Sequence, residues 1–171
     1  MAERVIIKEV AARDGLRAQP KHLTVDERIA LIAALATTGV PELEIGSFVS
    51  PKAVPQMAGT DIIAANLPHA ELAYSALVPN MKGYELAVMA GIKSHAIAIA
   101  ATEEMNQNNI RKGLEETFVM AEELLDRAAD EGVAIHAYLA VDFECPYEGA
   151  VPEDRVLKQV ERLMEIGRAH V

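Results

Sequence analysis

Aromatic side chains are scarce, at 4% of the chain, and there is no Trp. Any core must therefore be built from Ala, Leu, Ile, Val and Met. A single cysteine, Cys145, excludes an intrachain disulfide and fits a reducing compartment, so a cytoplasmic location is expected. Positive charge is also short: 16 basic residues against 26 acidic ones leave a net charge of −10. That balance argues against nucleic acid held through its phosphates and against an anionic membrane surface. No apolar run approaches the ~20 residues of a membrane span. The start, Met1-Ala2-Glu3-Arg4, lacks the charged and apolar blocks of a signal peptide. Gly15, Gly46 and Gly59 do not have the spacing of a phosphate-binding loop of the dinucleotide or NTPase type.

What is present is a regular alternation of short apolar runs and longer helical patterns. Val5 to Val10 reads as a strand. Thr24 reads as an N-cap, with Glu27 at capping-box spacing and a helix running to about Gly39. Leu43 to Ile45 is a second strand, closed by Gly46, and a loop with Pro51 and Pro55 leads to a helix around residues 61–66. Strands at 72–78, 95–101 and 133–141 alternate with helices at 81–90, at 113–130 and from Pro152 onward. This rhythm, β-α five times over, implies a parallel sheet with right-handed crossovers in a single domain, residues 1–171. An open doubly wound sheet and part of an eight-unit barrel both fit. A barrel typically needs ~250 residues, so the chain would hold only about the first five βα units of one.

In either fold, chemistry gathers at the carboxyl ends of the strands. Arg13, Asp14 and Arg17 follow the first strand, and Glu44, Ser47, Ser50 and Lys52 lie within or after the second. Asn80 and Lys82 follow the third, Glu103, Glu104, Asn106 and Asn108 the fourth, and Glu144, Cys145, Tyr147 and Glu148 the fifth. Asp14 can be a turn cap beside Gly15 or a hard-oxygen ligand for Mg²⁺ or Mn²⁺. Glu44 sits between Leu43 and Ile45, where a carboxylate is costly to bury unless paired. An Arg13–Glu44 pair would solve that and fix the guanidinium. His136 and Tyr138 share one face of the fifth strand, either lining a site or filling a polar layer. Cys145 has no His nearby in sequence and reads as an inert small residue; His22, His69 and His95 read as surface or structural. The acidic run Glu115, Glu116, Glu122 and Glu123 reads as a solvated helix face.

The string Arg13-Asp14-Gly15-Leu16, then Glu44, then Ser47-Phe48-Val49-Ser50-Pro51-Lys52 with Val54-Pro55-Gln56-Met57, resembles the 3-hydroxy-3-methylglutaryl-CoA lyase family. Pro79-Asn80-Met81-Lys82-Gly83 and Cys145-Pro146-Tyr147-Glu148-Gly149 continue the likeness over nearly the whole chain. It implies a TIM-type β/α barrel, an acyl-CoA substrate, a divalent metal (Mg²⁺ or Mn²⁺) and a homo-oligomer at full length, with no nucleic-acid or membrane partner. The implied reaction cleaves a 3-hydroxyacyl-CoA to acetyl-CoA and a keto acid, acetoacetate for the methylglutaryl substrate. Arg13 would stabilise the enolate, Asp14 would bind the metal, and Glu44 would hold Arg13. Arg17, Ser47, Phe48, Asn80, His136 and Tyr138 would shape the acyl-CoA pocket.

Two positions depart from the family: Arg17 stands where Gln is commonest, and His136 where some members have Arg. Both weaken the case for the methylglutaryl substrate and leave a longer or branched 3-hydroxyacyl-CoA open. The family's barrel also continues with three more strands, carrying a second Asp, an His-x-His metal pair and a Gly-rich loop with a Cys thought to protonate the enolate. Cys145 is not that Cys, and His170 lacks the metal-binding context. The tail from Glu165 to Val171 resembles translated adapter DNA and is read as non-native, so a truncated, inactive and poorly soluble fragment is expected. A non-catalytic half-barrel that binds CoA or a partner subunit is the reading from another class.

Overall fold

The computed structural model describes residues 5–168. The expectations for Met1–Arg4, and for His170 and the last residues of the tail, lie outside the described residues. The chain groups into two compact units. One runs to Val78 and includes Lys82–His95; the other holds Pro79–Met81 and the chain from Ala96 onward.

The first unit is built on three parallel strands in chain order: β1 (Lys8–Glu9), β2 (Glu42–Ser47) and β3 (Ala73–Leu77). Helix α1 (Val25–Ala36) follows β1, and α2 (Thr60–Ala65) follows β2. The expected capping box is present. Glu27 N–H donates to Thr24 Oγ1 (3.2 Å), and Thr24 N–H donates to Glu27 Oε2 (2.7 Å). Leu43, Ile45, Ile32, Ile63 and Ala76 are essentially inaccessible and form the core between sheet and helices. Helix α3 (Met81–Met89) follows β3 and buries Tyr84, whose ring meets His95 edge-on at 5.0 Å. His95 is fully buried with Nε2 3.1 Å from Ile92 O, which makes it structural.

The first strand is much shorter than expected. Only Lys8 and Glu9 are strand, while Val5, Ile6 and Ile7 are 81%, 65% and 64% exposed. An apolar run becomes a strand only where a partner strand and a covering layer meet it, and β2 pairs with just two residues here. Gly46, expected to close β2, lies inside it, in a stretch where the register against β3 shifts. Glu44 faces Ser75 and Ser47 faces Leu77, so three steps along β2 match two along β3. This is a β-bulge. Ser75 and Leu77 share a face of β3, so their partners Glu44 and Ser47 share a face of β2. Strict alternation would have separated them.

The second unit contains most of β4 (Ser94–Ala100), then α4 (Glu103–Ile110), α5 (Leu114–Glu131), β5 (Ala134–Ala140) and α6 (Glu153–Arg168). Between β5 and α6, a short antiparallel hairpin pairs β6 (Glu144–Cys145) with β7 (Gly149–Ala150). Phe118, Ala121, Leu124 and Ala128 of α5 are buried, as their spacing predicts. Neither α4 nor the hairpin follows from the periodicity.

Candidate active site

Arg13 and Asp14 sit in a π-helical turn, Ala11–Gly15. The Val10 carbonyl accepts from Arg13 N–H (3.1 Å), Asp14 N–H (2.8 Å) and Gly15 N–H (3.4 Å), which winds the chain tightly just beyond β1. Single π turns often occur at functional sites. This one aims Arg13 at β2. Its Nε donates to Glu44 Oε1, and Nη1 donates to Asp14 Oδ1 at 2.7 Å. Glu44 is wholly buried and Arg13 largely so, while the Asp14 side chain is 58% exposed. Lys8 Nζ lies 3.7 Å from Glu44 Oε2. The expected Arg13–Glu44 pair is therefore present, with Lys8 as a second cation on the other carboxylate oxygen. Arg13 Nη2 makes no hydrogen bond among the described residues, so the fixed guanidinium keeps donors for an incoming oxygen.

Ser47 is 3% exposed and its hydroxyl donates to Leu77 O (3.1 Å); Phe48 N–H donates to the same carbonyl (2.9 Å). Both are thus tied to the end of β3, and Arg17 is exposed. In the second unit, Asn80 is exposed and lines an open groove of ≈ 500 Å³ with Met81, Val119, Met120 and Lys112 and with the carboxylates Glu115, Glu116 and Glu123. His136 is exposed and Tyr138 half-buried on one face of β5, while Leu139 packs towards the cluster of Ala101, Cys145 and Val151.

Cys145 is 1% exposed. Burial pushes its thiol up, but hydrogen bonds from the Thr102 hydroxyl (3.2 Å to Sγ) and the Tyr147 and Glu148 amides hold it below the ordinary value overall. Thr102 is consequently not a side-chain cap for α4. Glu148 takes that place: its Oε1 accepts from Glu104 N–H at 3.0 Å, and Arg155 Nη1 donates to Oε2. The Glu104 amide first, then Arg155, lower the Glu148 carboxyl. Asn106, 2% exposed, locks the end of β4. Its Nδ2 donates to Ala100 O and Thr102 O (both 2.9 Å), and its Oδ1 accepts from Ala100 N–H (3.0 Å). Glu115, Glu116, Glu122 and Glu123 are exposed, as expected of a solvated helix face, and Glu115 in addition accepts two hydrogen bonds from Arg162 (2.7 and 2.8 Å). Glu116 accepts from Gly113 N–H (2.9 Å).

The HMGL-like family model matches residues 4–171. The chain belongs to that family. It is 40% identical to hydroxymethylglutaryl-CoA lyase of Pseudomonas mevalonii over 164 residues, covering 95% of this chain and 54% of that protein. It is 35% identical to (R)-citramalyl-CoA lyase of Chloroflexus aurantiacus, covering 99% and 57%. Hydroxymethylglutaryl-CoA lyase from Pseudomonas aeruginosa superposes with a TM-score of 0.91 at 34% identity, covering 96% of this chain and 55% of that one. A lyase from Acinetobacter baumannii, solved with coenzyme A and 3-methylmalate, superposes at 0.89 and 31% identity, covering 95% and 53%. These matches bear out the expected fold class, an incomplete TIM-type β/α barrel of about five βα units. The chain spans about half the length of the relatives it matches.

The donor set does not fit a complete metal site. Among the described residues no three His, Cys, Asp or Glu side chains converge. Glu44 is committed to two cations, and Asp14 alone offers one hard oxygen where such ions take about six ligands.

Proposed function

We propose that these residues serve a lyase that cleaves 3-hydroxy-3-methylglutaryl-CoA to acetyl-CoA and acetoacetate, in a protein of its relatives' length. The observation that carries this reading is the guanidinium of Arg13, fixed through Nε by buried Glu44 and through Nη1 by Asp14, with Nη2 left over. In the cleavage, the 3-hydroxyl loses its proton and its carbon becomes the ketone of acetoacetate. The bond between C2 and C3 breaks, its electron pair passes to the thioester as the enolate of acetyl-CoA, and a proton added at C2 completes acetyl-CoA, so that no net proton is gained or lost. Asp14 is the carboxylate assigned to take the hydroxyl proton. A preorganised donor aimed at that oxygen lowers the barrier because nothing need reorganise as charge develops. The family resemblance gives acyl-CoA contacts to Arg17, Ser47 and Phe48 in the first unit and, separately, to Asn80, His136 and Tyr138 in the second. The divalent ion, Mg²⁺ or Mn²⁺, would take Asp14 as one ligand and the rest from outside the described residues. A cytoplasmic location and a homo-oligomeric state belong to the same proposal.

A second reading keeps the reaction and changes the acyl group. It is favoured by Arg17 and His136 and by the citramalyl-CoA lyase among the relatives. The test is acetyl-CoA release by a protein extended to the relatives' length, with methylglutaryl and longer or branched 3-hydroxyacyl thioesters in parallel. Arg13→Gln should lower kcat by ~10²–10³-fold with KM little changed, the loss expected for one oxyanion donor. The 171-residue chain alone should release none. Turnover of no thioester by the longer protein, or full turnover by Arg13→Gln, would overturn the proposal.

A further inference from the structure

Arg28 is the largest fully buried side chain, at 2% exposure, and it forms no ion pair among the described residues. It lies on the buried face of α1, one turn before Ile32. Its Nη1 donates to Ala58 O (2.8 Å) and its Nη2 reaches Thr60 Oγ1 (3.4 Å), while Nε has no hydrogen-bond partner. Burial lowers the guanidinium pKa. An uncompensated buried cation is expensive, and nothing in a helix–sheet interface requires one.

Its surroundings give the reason. The guanidinium packs directly behind the β2 bulge. A Cβ at Gly46 would stand 2.9 Å from Arg28 Nη2 and 2.8 Å from Thr60 Oγ1, so only glycine permits this approach. Thr60 Oγ1 in turn donates to Met57 O (2.8 Å), at the end of the short 3₁₀ turn Pro55–Met57. The segment between β2 and α2 contains little regular structure. It is held at its start by Phe48 and Ser47 on Leu77 O, and at its finish by Arg28 on Ala58. The bulge that Arg28 backs is also what brings Ser47 onto the face of Glu44.

We infer that Arg28 is a positioning residue: it clamps residues 57–60 against the bulge of β2 and so fixes the Ser47–Thr60 segment beside Arg13 and Glu44. It touches no substrate. Its effect on an acyl-CoA pocket rests on the function proposed above; its effect on the segment does not.

The test uses Arg28→Met, Arg28→Lys and Gly46→Ala in the 171-residue chain. Met matches the volume without charge and should keep the melting temperature within a few degrees, since apolar replacements of buried ions are often neutral or stabilising. Amide exchange across 48–60 should nevertheless rise about tenfold or more, while exchange in β3 and α3 stays unchanged. Arg28→Lys should restore part of the protection, because an ammonium can still donate to Ala58 O. Gly46→Ala, which keeps the cation but removes its space, should reproduce the Arg28→Met pattern and decides the matter if Arg28→Met does not fold. In the longer protein, Arg28→Met should raise KM for the thioester several-fold with kcat changed less than threefold. Unchanged exchange across 48–60 in Arg28→Met and Gly46→Ala overturns the inference, as does equal exchange in the Met and Lys variants. A wild-type protein that turns over no thioester overturns the proposed function and leaves the exchange result standing.

Discussion

At the scale of residues, Glu44 is the pivot. A carboxylate with no solvent exposure is tolerable only because Arg13 and Lys8 surround it. Removing it leaves two cations against the sheet, so Glu44→Ala should cost ~3–5 kcal/mol, the range for breaking a buried pair from one side. Denaturant unfolding measures this, and a loss below ~1 kcal/mol would show that water reaches the pair. Arg13 and Glu44 were legible in the sequence because one physical rule, that a strand carboxylate needs a partner, selects them. Lys8 and Arg28 were not. Lys8 reads as an ordinary charge on an edge strand until its register opposite Glu42 is known. Arg28 shares helical spacing with Ile32, which is a signal, but an Arg at that position normally carries its charge to the surface. The bulge that accommodates it depends on how β2 aligns with β3, and that alignment is written in neither strand alone.

At the scale of elements, the long apolar-striped helices α1 and α5 and the cores of β2 to β5 are where periodicity places them. Helix α4 is not, because Glu103–Ile110 is almost wholly polar. Its reason to be helical is the buried Asn106, which replaces missing backbone partners at the end of β4, and the carboxylate of Glu148 at its N-terminus. The β6–β7 hairpin is thus tied to the start of α4 by the Glu148 carboxylate as well as by the Thr102–Cys145 hydrogen bond. The folded-state pKa of Glu148 is depressed, so its contribution is complete above the ordinary carboxylate value of 4.5 and is lost as pH falls through the lower folded value. The stability gap between wild type and Glu148→Gln should therefore be constant at neutral pH and close only below about pH 4.5. Thermal melts across pH 3 to 7 read this out. A gap that closes already between pH 5 and 7 would mean that a different group titrates.

At the scale of the whole chain, the half-length match to the relatives and the surface of the second unit bear on the same question. Among the described residues the strands pair in the order β1-β2-β3-β4-β5, so β5 is an end strand, and α6 leaves Leu157, Val160 and Met164 exposed at 53%, 37% and 48%. Their spacing is i, i+3, i+7, a continuous stripe on one helix face. Phe143, 91% exposed, lies just beyond β5. A free strand edge offers unpaired backbone groups, and an apolar stripe offers area worth ~25 cal/mol per Å² once covered. Net charge of −10 opposes association at long range but is screened beyond ~8 Å at physiological salt. Contact attraction should therefore win as salt rises. The 171-residue polypeptide should associate in a concentration- and salt-dependent way in sedimentation velocity. The double variant Leu157→Glu with Val160→Lys should shift it towards monomer while leaving the melting temperature within about 2–4 °C, because neither side chain is part of the core. A wild-type chain that stays monomeric at millimolar concentration in high salt would show that the stripe is not adhesive and that the uncovered face of α6 is tolerated as it stands.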